Sequence, residues 1–125
     1  MLFALLAGGA LADGVLVLDE AMLLSMARTR EPDVRIVYAM DKLEFRTRRS
    51  ALVGWIDVAL TARFARVGRN IQLAAGSLHT GPFAQKGKRL EQARAGLVKL
   101  VNVETAATRV EIVRNGQTVY TQHLD

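Results

Sequence analysis

VLVLDEAMLLSMAR, residues 15–28, is the stretch from which the rest of the chain is interpreted. Its apolar residues cover most of the surface of a helix, it contains no proline, and Ala, Leu, Met and Glu favour helix. We therefore predict one helix over about residues 14–28, buried on nearly all sides. Two acids, Asp19 and Glu20, lie in its middle, and an ionised carboxylate on a buried helix is costly unless it is paired or solvated by a cleft.

Asp19 is the acid that we expect to face apolar surroundings. On a helix it shares a side with the apolar residues three and four positions away, which are Val15, Met22, Leu23 and Met26. The alternative is that an acid in the first two turns interacts favourably with the helix dipole. The two interpretations differ in whether the Asp19 carboxylate borders a cleft.

Composition predicts a single globular domain over residues 1–125. Half of the residues are apolar, and the chain contains no Cys. The absence of Cys excludes disulfides, thiolate metal sites and cysteine nucleophiles, and it fits a reducing, cytoplasmic compartment. His79 and His123 lie far apart and lack metal-ligand spacing, so we expect no metal and no cofactor.

The first twelve residues, MLFALLAGGALA, end in Ala10-Leu11-Ala12, which resembles a signal-peptidase site after a short apolar run. No Lys or Arg precedes the run, and it is too short to cross a bilayer. We interpret it as an apolar lead-in to the helix, with secretion as the alternative. We accordingly expect a cytoplasmic protein without a membrane partner.

The net charge is +5, from 17 Lys and Arg against 12 Asp and Glu. Six of the cations form two modest clusters, which are Arg46, Arg48 and Arg49 and, later, Lys86, Lys88 and Arg89. Such a balance attracts phosphates, nucleic acid or an acidic membrane surface. We favour an ordinary solvated surface over nucleic acid, because no nucleic-acid-binding motif accompanies the charge and aromatic residues are sparse.

Alternating apolar residues predict antiparallel strands after the helix. The alternation runs over 34–45, where a one-residue shift at Asp41-Lys42 predicts a β-bulge, and again over 54–67 and 71–79. The segment 46–52 is interpreted as a basic connection. The short turn at 67–70 joins its two strands into a hairpin.

Two later segments complete the pattern. Residues 88–103 are ambiguous, because Leu90, Ala93 and Leu97 have helical spacing while Gly96 and a β-branched end favour a strand. Asn115-Gly116, between two β-rich runs, predicts a C-terminal hairpin over 109–124. A helix followed by antiparallel strands predicts an α+β fold, with a long antiparallel sheet wrapped around one central helix.

The segments LDEAMLLSMAR, VRIVYAMDKLEF and WIDVALTARFARVGRNIQL, with a basic link and a Gly before the last, resemble the acyl-CoA thioesterases of the hotdog fold. Asp19-Glu20, Phe45 and Gly68-Arg69-Asn70 occupy the places of that family's helix acid motif, of the Phe after its bulged strand and of its hairpin turn. The resemblance covers about residues 14–103. It implies a hotdog fold in which 88–103 is the last core strand and the C-terminal hairpin is an addition.

The resemblance also implies an activity, the hydrolysis of acyl-CoA thioesters to free acid and coenzyme A. Asp19 would act as general base or nucleophile at the interface of a homodimer or a higher homo-oligomer. Backbone N–H groups at the helix N-terminus would meet the oxyanion. Gly68, Arg69 and Asn70 would bind the substrate, with Arg69 near the coenzyme A phosphates.

A binding module is the alternative function. The family has a Gly pair shortly before its helix acid, preceded by His or Asn, whereas Gly8-Gly9 stands earlier here and no Asn or His precedes it. A hotdog of this kind would hold an acyl-CoA or fatty acyl ligand without turning it over. Too few residues precede Gly14 for the family's first strand, so we predict that a strand of the C-terminal hairpin pairs with the core sheet instead.

Overall fold

The structure is a computed structural model that describes residues 10–12, 14–52 and 54–124. The helices are α1 (Glu20–Ala27) and α2 (Lys88–Leu100). The strands are β1 (Ala10–Ala12), β2 (Val15–Asp19), β3 (Arg35–Tyr38), β4 (Leu43–Ala51), β5 (Gly54–Val67), β6 (Asn70–Thr80), β7 (Phe83–Gln85), β8 (Asn102–Glu104), β9 (Arg109–Arg114) and β10 (Gln117–His123). The predicted α+β class is confirmed. Residues 1–9, which include most of the predicted apolar lead-in and the Gly8-Gly9 pair, lie outside the described part of the chain.

The larger sheet is antiparallel and has six strands. Its order is β3-β4-β5-β6-β7, and β8 pairs with the opposite end of β6 from β7. The hairpin predicted from the turn at 67–70 is confirmed: β5 and β6 pair from Val67↔Asn70 onward, and Gly68 has the positive φ of 61° that the tight turn requires. These two long strands form the frame on which the cavity described below is built.

A bulge interrupts the pairing of β5 with β6 near Thr61. The register shifts between Leu60 and Ala62, and the Thr61 Oγ1 accepts a hydrogen bond of 2.8 Å from the Ser77 backbone N–H. A Cβ built at Gly76 would lie only 2.7 Å from the same oxygen, so this approach requires glycine. Bulges bend a strand and increase its twist, which helps the sheet to curl around α2.

The smaller sheet has the order β1-β2-β9-β10, and β2 runs parallel to β9. The C-terminal hairpin is confirmed: Asn115 and Gly116 both have positive φ, as a two-residue hairpin turn requires. The prediction that one of its strands pairs with the core sheet is wrong: β9 pairs with β2 in the smaller sheet. Val110 and Ile112 on β9 are fully buried, so the hairpin contributes to the core.

The predicted helix over 14–28 is wrong in its first third. Residues 15–19 form β2, because pairing with β1 and β9 buries Val15, Leu16 and Leu18 more completely than a surface helix would. The helix begins where Asp19 caps it, with the Asp19 Oδ1 accepting from the Ala21 N–H at 3.2 Å. The helix is not buried on nearly all sides either; within α1 only Glu20 and Leu23 are buried.

Three further predictions are wrong. The segment predicted as the last core strand, 88–103, is helix to Leu100 and contributes only the short β8, so the chain has two helices in its described part. The segment 46–52, predicted as a connection, lies mostly in β4. Asp41 and Lys42 lie in the turn between β3 and β4, closed by a 2.9 Å bond from the Ala39 N–H to the Lys42 carbonyl, and not in a bulge.

Gln122 joins the two sheets inside the core. β4 begins at Leu43, in register with Ala62, so it does not extend to Phe64. The Gln122 side chain takes its place there: its Oε1 accepts from the Phe64 N–H at 2.9 Å, and its Nε2 donates to the Phe64 carbonyl at 2.6 Å. The Tyr120 hydroxyl donates to the same Oε1 at 2.9 Å, so the buried amide is well satisfied.

Candidate functional site

A cavity of about 690 Å³ lies between α2, the C-terminal end of α1 and one face of the six-stranded sheet. Phe45, Val58 and Leu60 line it from the sheet, and Leu97 and Leu100 line it from α2. Its size falls within the range of small-molecule sites in proteins, about 300–1,000 Å³. The cleft therefore offers a mainly apolar space, open to solvent on one side and with polar residues in its lining, that is large enough for a ligand.

Small residues on α2 leave this space open. Ala93 and Gly96 line the cavity from the same face of the helix as Leu97 and Leu100. A Cβ built at Gly96 would lie 3.4 Å from the Arg30 Nη1, so the Arg30 guanidinium extends from the segment after α1 to the surface of α2. Larger residues at these two helix positions would occupy part of the cavity.

Exposed cations surround the apolar interior. Arg30, Arg49, Arg89 and Lys99 line the cavity, and Glu31 is the only acid among its described lining residues. Glu31 forms an ion pair with Arg49, so three of the four cations have no carboxylate partner among the residues that line the cavity. Positive charge at a low-dielectric cleft attracts an anionic group and holds it at the entrance.

The structure places Asp19 outside this cavity. Its carboxylate caps α1, it is half-buried, and it is not among the residues that line the cavity. The prediction that Asp19 rather than Glu20 faces the interior assumed a helix beginning near residue 14. Because the helix begins at Glu20, the positions that face the core differ from those expected.

The predicted substrate-binding turn, Gly68, Arg69 and Asn70, lies at the other end of β2 from Asp19. The Arg69 carbonyl accepts from the Thr105 N–H, and the segment after Thr105 returns to the start of β2, where the Thr108 N–H donates to the Gly14 carbonyl. Five residue steps of about 3.3 Å separate Gly14 from Asp19, or about 16 Å. The structure therefore does not bring Asp19 and this turn together within one chain.

The turn has one side-chain hydrogen bond to a neighbouring strand in the described part of the chain. The Asn70 Nδ2 donates to the Asn102 Oδ1 at 2.6 Å, which attaches the start of β6 to β8. Arg69 is exposed, and the turn contributes no residue to the cavity.

Glu20 is the buried carboxylate of α1. It accepts two hydrogen bonds from the Arg114 guanidinium, at 2.8 and 2.9 Å, and one of 2.5 Å from the Tyr38 hydroxyl. The Arg114 bonds hold the pKa of Glu20 below its usual value, against the opposing effect of burial. Burial and the Glu20 carboxylate raise the pKa of Tyr38. This cluster joins α1 to β9 and β3.

The chain matches no protein family, no curated protein and no solved structure. The site is therefore interpreted from its own geometry. Neither helix in the described part of the chain has the length and hydropathy that a bilayer crossing requires.

The cavity was missed by sequence reasoning, although part of its signal was present. Residues 88–100 combine helical spacing of Leu97 and Leu100 with small residues at Ala93 and Gly96. Small residues on the inner face of a helix indicate close packing or empty space, and only the positions of the opposing strands distinguish the two. The cations Arg49 and Arg89 were recognised as parts of basic groups, but nothing in the sequence places them at one cleft.

Proposed function

We propose that this chain binds an amphipathic ligand with a long apolar chain and an anionic head group, such as a fatty acid or a fatty acyl thioester of coenzyme A. The observation that supports this proposal most strongly is the combination of an apolar interior with a cationic entrance in one cavity. An apolar chain would lie against Phe45, Leu60 and Leu97. The head group would meet Arg30 and Arg89 at the surface.

The size of the apolar interior is consistent with useful affinity. Each buried methylene contributes about 0.8 kcal/mol, so ten of them contribute about 8 kcal/mol. Association with the protein and ordering of the ligand's acyl chain cost at least about 4 kcal/mol, and the charged entrance offsets part of that cost. The sum corresponds to binding in roughly the micromolar to millimolar range.

Isothermal titration calorimetry with palmitate tests the proposal. Ala93→Phe places a ring in the cavity, whereas the control Ala95→Phe places the same ring on an exposed position of α2. We expect saturable palmitate binding that Ala93→Phe weakens by at least about tenfold, equivalent to about 1.4 kcal/mol. Binding that is absent from the unaltered chain, or that both variants weaken equally, would contradict the proposal.

The entrance is tested by changing the head group and the cations separately. We expect palmitate to bind more tightly than hexadecanol, which has the same chain and no charge. Arg89→Gln should reduce that preference, and Arg94→Gln should leave it unchanged because Arg94 is exposed, pairs with Glu91 and does not line the cavity. An equal preference in all three proteins would show that Arg89 does not recognise the head group.

A hotdog fold and a homodimer stay predictions beside this proposal, and hydrolysis of acyl-CoA is its alternative. The curled antiparallel sheet with a helix on one face is compatible with a hotdog-like fold, but that helix is α2, formed by the segment that the resemblance makes the last strand. The acid that hydrolysis would use, Asp19, caps α1 away from the cavity, and so binding without turnover is the function that the geometry favours.

A further inference from the structure

We propose that one end of the six-stranded sheet docks on the surface of an anionic lipid bilayer. The docking surface is an apolar tip formed by Leu52, Trp55, Ile56 and Phe83. This proposal is independent of the ligand that occupies the cavity.

The backbone pairing places these four residues at the same end of the sheet. Leu52 lies in the turn after β4, and Trp55 and Ile56 begin β5. Phe83 begins β7 after the Gly81-Pro82 turn, and a Cβ built at Gly81 would lie 3.5 Å from the Ile56 Cγ2. The Gly81 N–H also donates to the Asp57 carbonyl at 2.7 Å, which holds the turn before β7 against the first residues of β5.

The apolar tip is exposed to an unusual degree. Leu52 is fully exposed, Trp55 is 69% exposed, Phe83 is 71% exposed and Ile56 is 36% exposed. The other large apolar residues that the described chain exposes are distributed over other parts of the fold, at Met22, Val37, Met40 and Val67. Exposed apolar side chains gathered at one place mark a surface that meets an apolar phase or a partner.

Cations follow the apolar tip closely in the sequence. Lys86, Lys88 and Arg89 follow Phe83 at the start of α2 and are all exposed. Within the described ranges, no ion pair involves any of the three. The acids nearby are compensated, since Asp57 pairs with Arg48, Glu31 with Arg49, and Glu91, in the first turn of α2, with Arg94. The segment that follows the tip therefore carries a net positive charge.

This combination fits a lipid surface better than a protein partner. Trp and Phe favour the boundary between headgroups and acyl chains, and each Lys or Arg near an anionic membrane contributes about 1 kcal/mol. A stable protein interface needs about 20–30 residues on each side, far more than the tip provides. Shallow insertion of a tip needs no membrane-spanning helix, so the finding on the two helices is compatible with it.

Docking would also bring the cavity close to lipid. Phe83 of the tip pairs with Thr80, and Thr80 in turn pairs with Val58. Thr80 and Val58 both line the cavity. The apolar tip and the cavity are thus adjacent along the same strands. A surface-bound chain would hold its cavity beside a source of acyl chains.

Trp55 gives a direct readout because it is the only Trp in the chain. We expect its emission to shift to shorter wavelength when the protein meets vesicles of phosphatidylglycerol and phosphatidylcholine in equal parts. The shift should be much smaller with phosphatidylcholine alone and should decrease as salt is raised. Sedimentation with the same vesicles measures binding independently of fluorescence.

Leu52→Glu and Phe83→Glu test the apolar tip, with Met40→Glu as the control. Met40 is 94% exposed and lies in a different turn, so the control makes the same change of charge elsewhere. We expect both tip variants, and not the control, to lose most of the vesicle binding while retaining palmitate binding by the cavity. The proposal would be overturned by equal binding to both vesicle types or by equal loss of binding in all three variants. A blue shift of the Trp55 emission on concentrating the protein without lipid would also overturn it, because it would assign the tip to contact between copies of the chain.

Discussion

Replacement of Gln122 by leucine removes the link between the two sheets. Gln122 is 4% exposed, and its amide satisfies both the N–H and the carbonyl of Phe64, itself 1% exposed. Gln122→Leu keeps a side chain of similar size but leaves these two backbone groups and the Tyr120 hydroxyl without their partner. An orphaned buried polar group costs about 1–3 kcal/mol, so the two backbone groups together predict a loss of about 2–6 kcal/mol.

Urea unfolding followed by far-UV circular dichroism measures this loss. The expected loss is a large part of the total stability of a typical domain, about 5–15 kcal/mol, and should appear as a lower midpoint at an unchanged denaturant slope. Gln117→Leu is the matched control, because Gln117 lies in the same strand and is exposed. A loss below about 1 kcal/mol, or one that the control reproduces, would refute the argument that Gln122 replaces β4 beside Phe64.

Three further changes have defined outcomes. Gly76→Ala should lower the midpoint of urea unfolding, because the added Cβ would lie 2.7 Å from the Thr61 Oγ1; an unchanged midpoint would show that the bulge relaxes. Arg114 lowers the pKa of Glu20 in the folded protein, so the stability that ionised Glu20 contributes is fully present above the ordinary glutamate range and is lost as pH falls through the lowered pKa. The difference in unfolding free energy between the unaltered chain and Glu20→Gln should therefore decrease on acidification. A difference that stays constant with pH would contradict this. Asp19→Asn preserves the helix cap, because Asn caps a helix as Asp does. We expect neither the unaltered chain nor Asp19→Asn to release thiol from palmitoyl-CoA above the rate in buffer. Thiol release by the unaltered chain that Asp19→Asn abolishes would instead establish hydrolysis.

The strands with one buried face and strong turn residues were predictable from the sequence. Alternation fixed β5 and β6, and Asn115-Gly116 fixed the C-terminal hairpin, because both signals are local. Residues 15–19 were not predictable in this way, since β2 is buried between two neighbouring strands and such a strand has the continuous apolar pattern of a buried helix. The N-cap residue Asp19 followed by Glu20 was the local signal for the true helix start.

The candidate site depended on contacts that the sequence does not encode locally. The helical spacing of Leu90, Ala93 and Leu97 indicated α2 correctly, and the resemblance to the hotdog thioesterases wrongly replaced it with a strand. The cavity lies between α2 and strands that precede it by about ten to forty residues, so its existence follows from packing and not from a motif. The basic groups at Arg49 and Arg89 were visible in the sequence, but their convergence on one cleft was not.

Photolabelling tests the central claim, that the cavity binds an acyl chain, most directly. A palmitate that carries a diazirine near its methyl end is bound, irradiated and located by peptide mass spectrometry. The account predicts adducts on the residues that line the interior, such as Leu60, Leu78 and Leu97, and their suppression by excess palmitate. Adducts confined to the apolar tip, or labelling that excess palmitate does not suppress, would contradict it.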